Sequence, residues 1–276
     1  MMSHPDSALA GSAIETASAE YLCARVAALL SVEGNPHHAA MRSQGPLQGF
    51  LVQATASPMV NRIVGDLRAA PAALTELLAW FKSHGCMPAI PLIVHNRRPA
   101  ATEIFGQHKF QRLNGWTHLQ FGSAIDATLP PAPAPSPAVE VEEVTAASID
   151  TFATIHAEAF RTPPAGQPVN RASFAGLLSG DSAKGFIARV DGTAVAGAIV
   201  YFANNGVAYL ATAATRRAAR SRGCHSALIV CRIAAARERG CQFVAATATP
   251  NSQSRRNLER FGLTTSHMQT LYRATS

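Results

Sequence analysis

A mixed α/β (α+β) fold, with a mainly antiparallel sheet flanked by helices and built as two tandem similar domains, is what this 276-residue sequence predicts. Three observations carry it. Consecutive β-type runs joined by Gly-containing turns give way to alternating helical and β-type runs, the pattern of a meander followed by βαβ units. Part of that order occurs twice, with Gly85-Cys86 and Gly240-Cys241 at equivalent points. A Pro/Ala-rich stretch between the two copies, with five of the seventeen prolines inside residues 130–137, reads as an extended spacer. The boundaries follow: residues 1–126, a linker at 127–138, and residues 139–276.

In the first half, an apolar stretch covers Tyr21 to Val32. A helix is predicted over Ala72 to Ser83, ending in Gly85-Cys86, then a strand over Ala89 to His95, a helix near Ala100 to Gly106 and a strand over Trp116 to Phe121. The second half opens with a helix over Ile149 to Phe160. Gly185 to Val190, Asp191-Gly192 and Thr193 to Phe202 read as a hairpin on a two-residue turn. Asn204-Asn205-Gly206 turns the chain into a third strand, Val207 to Ala214. A helix from Gly223 to Arg239 follows, with Cys224, Ala227, Leu228, Cys231 and Ala235 at spacings of three and four, and Gly240 stops it. A β-type run over Gln242 to Thr249, a short helix over Ser252 to Phe261 and a strand over His267 to Arg273 complete the order.

Composition limits the function. Hydrophobic residues make up 47% and charged residues 15%, which supports a packed core and excludes a disordered or collagen-like chain. Five cysteines without a C-x-x-C pair argue against a disulfide framework or a zinc module and fit a reducing cytoplasm. No basic leader precedes the first apolar stretch, and the longest apolar run, Ala194 to Ala203, is half of what a bilayer span needs. A cytoplasmic protein with no membrane partner, monomeric or homodimeric, is expected.

The net charge of +7 sits in the second half. Nine basic residues face eight acidic ones through residue 137, and fifteen face nine beyond it. Residues 216–260 hold ten arginines and only Glu238 and Glu259 as acids, a composition that attracts phosphates or forms a solvated helix face. Within it, Arg220-Ser221-Arg222-Gly223-Cys224-His225-Ser226 lies between a strand and a helix. Unpaired amides and the partial positive charge of a helix N-terminus make such a turn an anion cradle. It lacks the G-K-[ST] of a Walker loop and the G-x-G-x-x-G of a dinucleotide fold.

This loop resembles the [QR]-x-x-G-x-[GA] motif of the GNAT superfamily of acyl-CoA-dependent N-acyltransferases, with His225 in place of the last small residue. Downstream, Asn251, Ser254, Asn257, Leu258, Phe261 and Gly262 resemble the family's next motif, about 30 residues on. The resemblance covers residues 139–276 and implies a GNAT-like fold with acetyl-CoA as cosubstrate and no metal. The backbone of Arg220, Ser221, Arg222, Gly223, Cys224, His225 and Ser226 would hold the pyrophosphate. The strand edge at Ala213 and Ala214 would pair with the pantetheine arm, and Asn251, Ser254 and Asn257 would line the other side. The first half then reads as a degenerate GNAT-like copy, since Asn61 to Pro71 carries no comparable Arg/Gly loop, and would shape or cap the substrate pocket.

The implied reaction is N-acetyl transfer to a primary amine of a small molecule, amino acid or peptide by direct attack in a ternary complex. Aligning the reactants, donating an N–H to the developing oxyanion and removing a proton are what it asks of the protein. Glu158 and His156 are candidate bases, Tyr209 and Tyr272 candidate acids, each weighed against a structural role. The family's frequent tyrosine acid is Leu258 here, so a non-catalytic acyl-CoA sensor or interaction module is the alternative. Nucleic-acid binding through the arginines lacks interleaved aromatics and is not expected. His37-His38 has no ligand-spaced partner for a metal. Cys224 reads as a nucleophile or as a small packing residue, and Ser254 and His267 lack the G-x-S-x-G elbow of a hydrolase.

Overall fold

The computed structural model describes residues 5–67, 70–94, 105, 108–126, 129 and 138–275. The helix expected near Ala100 to Gly106 lies outside these apart from Phe105, as does most of the linker at 127–138. The first half comprises α1 (Pro5–Leu30), β1 (Ala39–Gln44), β2 (Leu47–Val52), β3 (Arg62–Gly65), α2 (Pro71–Ser83), β4 (Ala89–Val94) and β5 (Phe110–Ala124). The second half comprises β6 (Glu140–Glu143), α3 (Ile149–Phe160), α4 (Gly166–Leu178), β7 (Ala183–Val190), β8 (Thr193–Phe202) and β9 (Val207–Thr215). After a 3-10 turn at Arg217–Ala219 come α5 (Cys224–Glu238), β10 (Phe243–Ala248), α6 (Gln253–Arg260) and β11 (Thr264–Ala274).

Turn chemistry explains the meander. Asp191 and Gly192 both take positive φ, 51° and 72°, the geometry of a two-residue hairpin turn whose twist matches its strands. Gly240 and Gly262, at 76° and 83°, turn the chain out of α5 and α6. Ser252 caps α6 by accepting the Arg255 amide at 3.1 Å.

Among the described residues the strands form one sheet in the order β1-β2-β3-β4-β11-β5-β10-β9-β8-β7-β6. Apart from β6, it is a palindrome once β1, β2, β3, β4 and β5 are matched with β7, β8, β9, β10 and β11. The pairing senses obey the same symmetry: β3 with β4 and β9 with β10 are parallel, and the other pairs are antiparallel. Each copy therefore gives its last strand to the other. β11 pairs with β4, β5 pairs with β10, and β5 and β11 pair along the seam.

Helices cover both faces. α5 and α6 bury Ile229, Ile233 and Leu258 against Leu210, Val244 and Ala246, and α2 buries Leu74, Leu77 and Phe81 against Leu51, Ile63 and Ile90. On the opposite face, α1, α3 and α4 pack Ile14, Phe152, Ile155 and Phe174 over Ile187, Ile199 and Ala245. α1 continues onto the first half's sheet, burying Leu22, Val26 and Leu29 with Phe50 and Val52. Thus α1 belongs to both cores. Its contact with α4 is close enough that a Cβ on Gly176 would lie 2.8 Å from the Ala28 Cβ.

Candidate active site

The parallel pair β9 and β10 is the place to start. Their register runs from Val207 opposite Phe243 to Leu210 opposite Ala246 and stops there. Beyond it, β9 from Ala211 to Thr215 has no strand partner on its β10 side among the described residues, which leaves backbone groups to be satisfied by something else. Ala213 and Ala214 lie on this free edge. A bulge marks the parting: Ile199 pairs with Ala211 but Gly197 pairs with Ala214, so β9 holds one residue more, and Thr212 takes a φ of 53°.

Two side chains brace the bulge. From α1, the Tyr21 hydroxyl bonds that of Thr212, while its ring packs between Tyr201 and Tyr209 at 5.8 Å from each. From α5, Arg232 is 1% exposed and brings Nη1 within 3.4 Å of the carbonyls of Ile199 and Ala211, with Nε donating to Leu228 O at 2.9 Å. Burial lowers its pKa to about 9.

The free edge leads into the Arg/Gly loop. Ser221 and Gly223 take positive φ, 65° and 85°, and Gly223 is the residue from which α5 departs. Repeated turns through the left-handed region make backbone concavities that bind anions. The first amide of α5 with an acceptor in its own turn is that of Ala227, to Gly223 O at 3.0 Å, so those of Cys224, His225 and Ser226 remain available. The loop's arginines divide into two kinds. Arg216 pairs with Glu158 at 2.7 Å and donates to Ala194 O, and Arg222 pairs with Asp191 at 2.8 Å. Arg217 and Arg220 have no acidic partner among the described residues. In the first half, five residues separate β3 from α2 where eight separate β9 from α5, so the equivalent loop is shorter.

His225 does not fill the loop. Its Nδ1 accepts from Asn257 Nδ2 at 2.8 Å, which places the ring between α5 and α6. Desolvation, then the charges of Arg232 and Arg260, lower its pKa to about 3, so it stays neutral and keeps this acceptor role. Asn257, expected to line the cofactor, is buried, and its Oδ1 takes Gln253 at 3.0 Å and Arg260 at 3.2 Å. Asn251 is exposed and Ser254 half-buried at the start of α6. Leu258 is 2% exposed in the core under α6. Cys224 is buried, which raises its thiol pKa and makes it a packing residue rather than a thiolate nucleophile.

The proposed acid–base residues are dispersed. Glu158 is on the surface with Arg216. His156 lies between Phe160 and Phe174, at 4.6 and 4.9 Å, its Nδ1 buried with no partner among the described residues. Desolvation, then the charge of Arg25, lower its pKa to about 3, a poor base. Tyr209 faces α1 just before β9 and β10 part, and burial pushes it up to about 12, against the opposing effect of Ser18. Tyr272 sits away from the opening, against Phe105 in the first half's core.

Glu15 escaped the sequence reading, and His267 was read only for its missing elbow. Glu15 Oε1 accepts from His267 Nε2 and Oε2 from Gln269 Nε2, both at 2.7 Å, tying α1 to β11 on the face where β9 and β10 part. No local spacing marks a pair 252 positions apart.

Residues 149–263 match the family model described as the Acetyltransferase (GNAT) family. The match covers 115 of the 276 residues and lies wholly within the second half. Solved structures resemble most of the chain: a GCN5-related N-acetyltransferase from Kribbella flavida, at 16% identity and a TM-score of 0.64, over 94% of this chain and 96% of that one. A tandem GNAT protein from the clavulanic acid biosynthesis pathway matches at 15% identity and a TM-score of 0.58, over 87% of this chain and 83% of that one. A putative GNAT-family acetyltransferase from Novosphingobium aromaticivorans matches at 18% identity and a TM-score of 0.56, over 86% and 92%. At these identities the likeness is one of fold. No curated protein matches the chain. Among the described residues no group of three or more His, Cys, Asp or Glu is placed to hold a metal, and no helix is long and apolar enough to cross a membrane.

Proposed function

We propose that the chain is an N-acetyltransferase that uses acetyl-CoA to acylate a primary amine of a small molecule, amino acid or peptide within a ternary complex. The observation that carries this is the continuity of an unpaired β9 edge, beginning at Ala211, with an arginine-bearing loop whose helix amides are free. A pantetheine arm carries amide groups that suit a strand edge, and a pyrophosphate suits the loop. Acetyl-CoA supplies the activated acyl group. The chain's part is to align it: Ala213 and Ala214 offer backbone, Ser221 to Ser226 offer amides, and Arg217 and Arg220 offer charge. An anion at a helix terminus contributes roughly 0.3–2 kcal/mol, against about 8 kcal/mol for micromolar binding, so the strand edge must supply much of the affinity. The first half acts as the degenerate copy, bracing the bulge through Tyr21 and closing the acceptor side with α1.

Leu258 favours a second reading, a non-catalytic acyl-CoA sensor, because a buried leucine cannot protonate a departing thiolate. Isothermal titration with acetyl-CoA, followed by detection of free thiol across a panel of amines, separates the two. Micromolar binding with thiol release supports the enzyme; binding without release with any amine supports the sensor; no binding refutes both.

A further inference from the structure

On the sheet face covered by α1, one cross-strand row passes from the splay into the seam between the halves. Thr247 of β10, the first residue on this face past the point where β9 and β10 part, lies opposite Gln120 of β5, and Gln120 lies opposite His267 of β11. Opposed residues of an antiparallel pair share a face with Cβ atoms about 5 Å apart. Above this row, Glu15 of α1 receives His267 Nε2 and Gln269 Nε2, one on each carboxylate oxygen. His267 is held in turn, with Nδ1 3.1 Å from Ser266 Oγ.

Gln120 is 2% exposed, yet its Oε1 has no hydrogen-bond partner among the described residues. Buried carbonyl oxygens are seldom left so. The Glu15 carboxylate likewise retains acceptor capacity after its two bonds, since it offers about four lone-pair sites. The unfilled capacity on this row is thus acceptor capacity beside a negative charge. An alcohol or a thiol offers one donor there, whereas a primary ammonium offers three and adds its charge to that of the Arg62 guanidinium, which already acts on Glu15.

We propose that this cluster is the acceptor site and that it takes a primary amine in its ammonium form, with Glu15 and Gln120 as the binding residues and His267 and Gln269 positioning the carboxylate. The assignment rests on the acetyltransferase reading and extends it, because Glu15 and Gln120 come from the first half and the splay from the second. The degenerate copy would then supply substrate contacts as well as support.

The test uses the full chain, with n-butylamine, benzylamine, cadaverine and glycinamide as probes, n-butanol as the uncharged control, and melting temperature and titration calorimetry as readouts. Acetyl-CoA affinity is measured alongside. At least one amine is expected to bind and stabilise the CoA-saturated protein while n-butanol does not. Amine Kd should rise about 30-fold in Glu15→Gln and about tenfold in Gln120→Leu, with acetyl-CoA Kd unchanged. The second variant keeps the test valid if the first fails to fold. Amine binding unaffected in both variants, or no amine binding to a protein that does bind acetyl-CoA, would overturn the acceptor site and leave the cofactor reading intact. Amine binding that depends on Glu15 in a protein that does not bind acetyl-CoA would support the ammonium site and remove the acetyltransferase reading.

Discussion

Acidification should unfold this protein through two histidines that the folded chain keeps neutral. His156, between Phe160 and Phe174, and His225, between α5 and α6, are both lowered from 6.5 to about 3, chiefly by desolvation. In the unfolded chain each imidazole takes its proton near pH 6.5, whereas in the folded chain each resists until about pH 3. Between those values the unfolded state binds more protons, so stability is complete above 6.5 and is lost as the pH falls through the window. With 1.36 kcal/mol per pKa unit, going from pH 7.5 to 5.0 costs about 2 kcal/mol for each histidine, or about 4 kcal/mol together, a large share of a typical domain's stability. His118, lowered by burial and by Arg62, adds in the same direction. Urea unfolding at the two pH values, for the wild type, His156→Leu, His225→Gln and the double variant, reads the effect. Each single variant should recover about 2 kcal/mol of the acid-induced loss. If the double variant lost as much as the wild type, or if NMR showed either ring titrating near 6.5 in the folded protein, the reasoning would fail.

Other outcomes follow from the site and its supports. Arg217→Ala with Arg220→Ala should weaken acetyl-CoA binding by about tenfold in calorimetry, most clearly at low salt, while Arg222→Ala, which removes a partner of Asp191, should change it little. Leu258→Tyr, which adds the hydroxyl that the motif resemblance leads one to expect there, should destabilise the protein by about 1–3 kcal/mol in urea and leave any turnover no higher, because that side chain is packed in the core. Gly176→Val should lower the urea midpoint by a similar amount, since even a Cβ there meets Ala28 at 2.8 Å; an unchanged midpoint would mean that α1 is free to move off α4.

Much of the second half was legible because local chemistry specifies it. Asp191-Gly192 fixes a hairpin, and Gly223 and Gly240 bracket a helix whose apolar spacing is regular. The helix at Ile149–Phe160 has the bounds expected, and the strands β8 and β9 differ from expectation by a residue at most. The first half was harder. α1 is rich in Ala and Ser and buries residues on two sides, against both cores, so its apolar positions show no single stripe. α4, Gly166–Leu178, was not anticipated either; it opens on Gly166-Gln167-Pro168, and proline is tolerated in a helix's first turn. β1, β2 and β3 were not anticipated at all.

The site divides in the same way. The Arg/Gly loop is contiguous in sequence, and its place between β9 and α5 could be read from it, whereas a motif cannot say that the Asn257 amide bonds a histidine of the neighbouring helix. Glu15, Gln120 and His267 meet only through the exchange of β5 and β11. Strand sequences specify which side faces the core, but not which distant strand lies alongside.

That exchange also dictates an order of events during synthesis. β4 cannot acquire its second neighbour until Thr264–Ala274 has been made, and β10, made late, completes its pairing on β5, made more than a hundred residues earlier. The first half therefore emerges from the ribosome with the inner edge of its sheet open, an exposed template for pairing with other chains. Closure waits on contacts of long sequence separation, which are slow to form. The seam that brings Glu15 to His267 is consequently among the last features to assemble, so the acceptor cluster exists only in a chain whose two halves have already locked together.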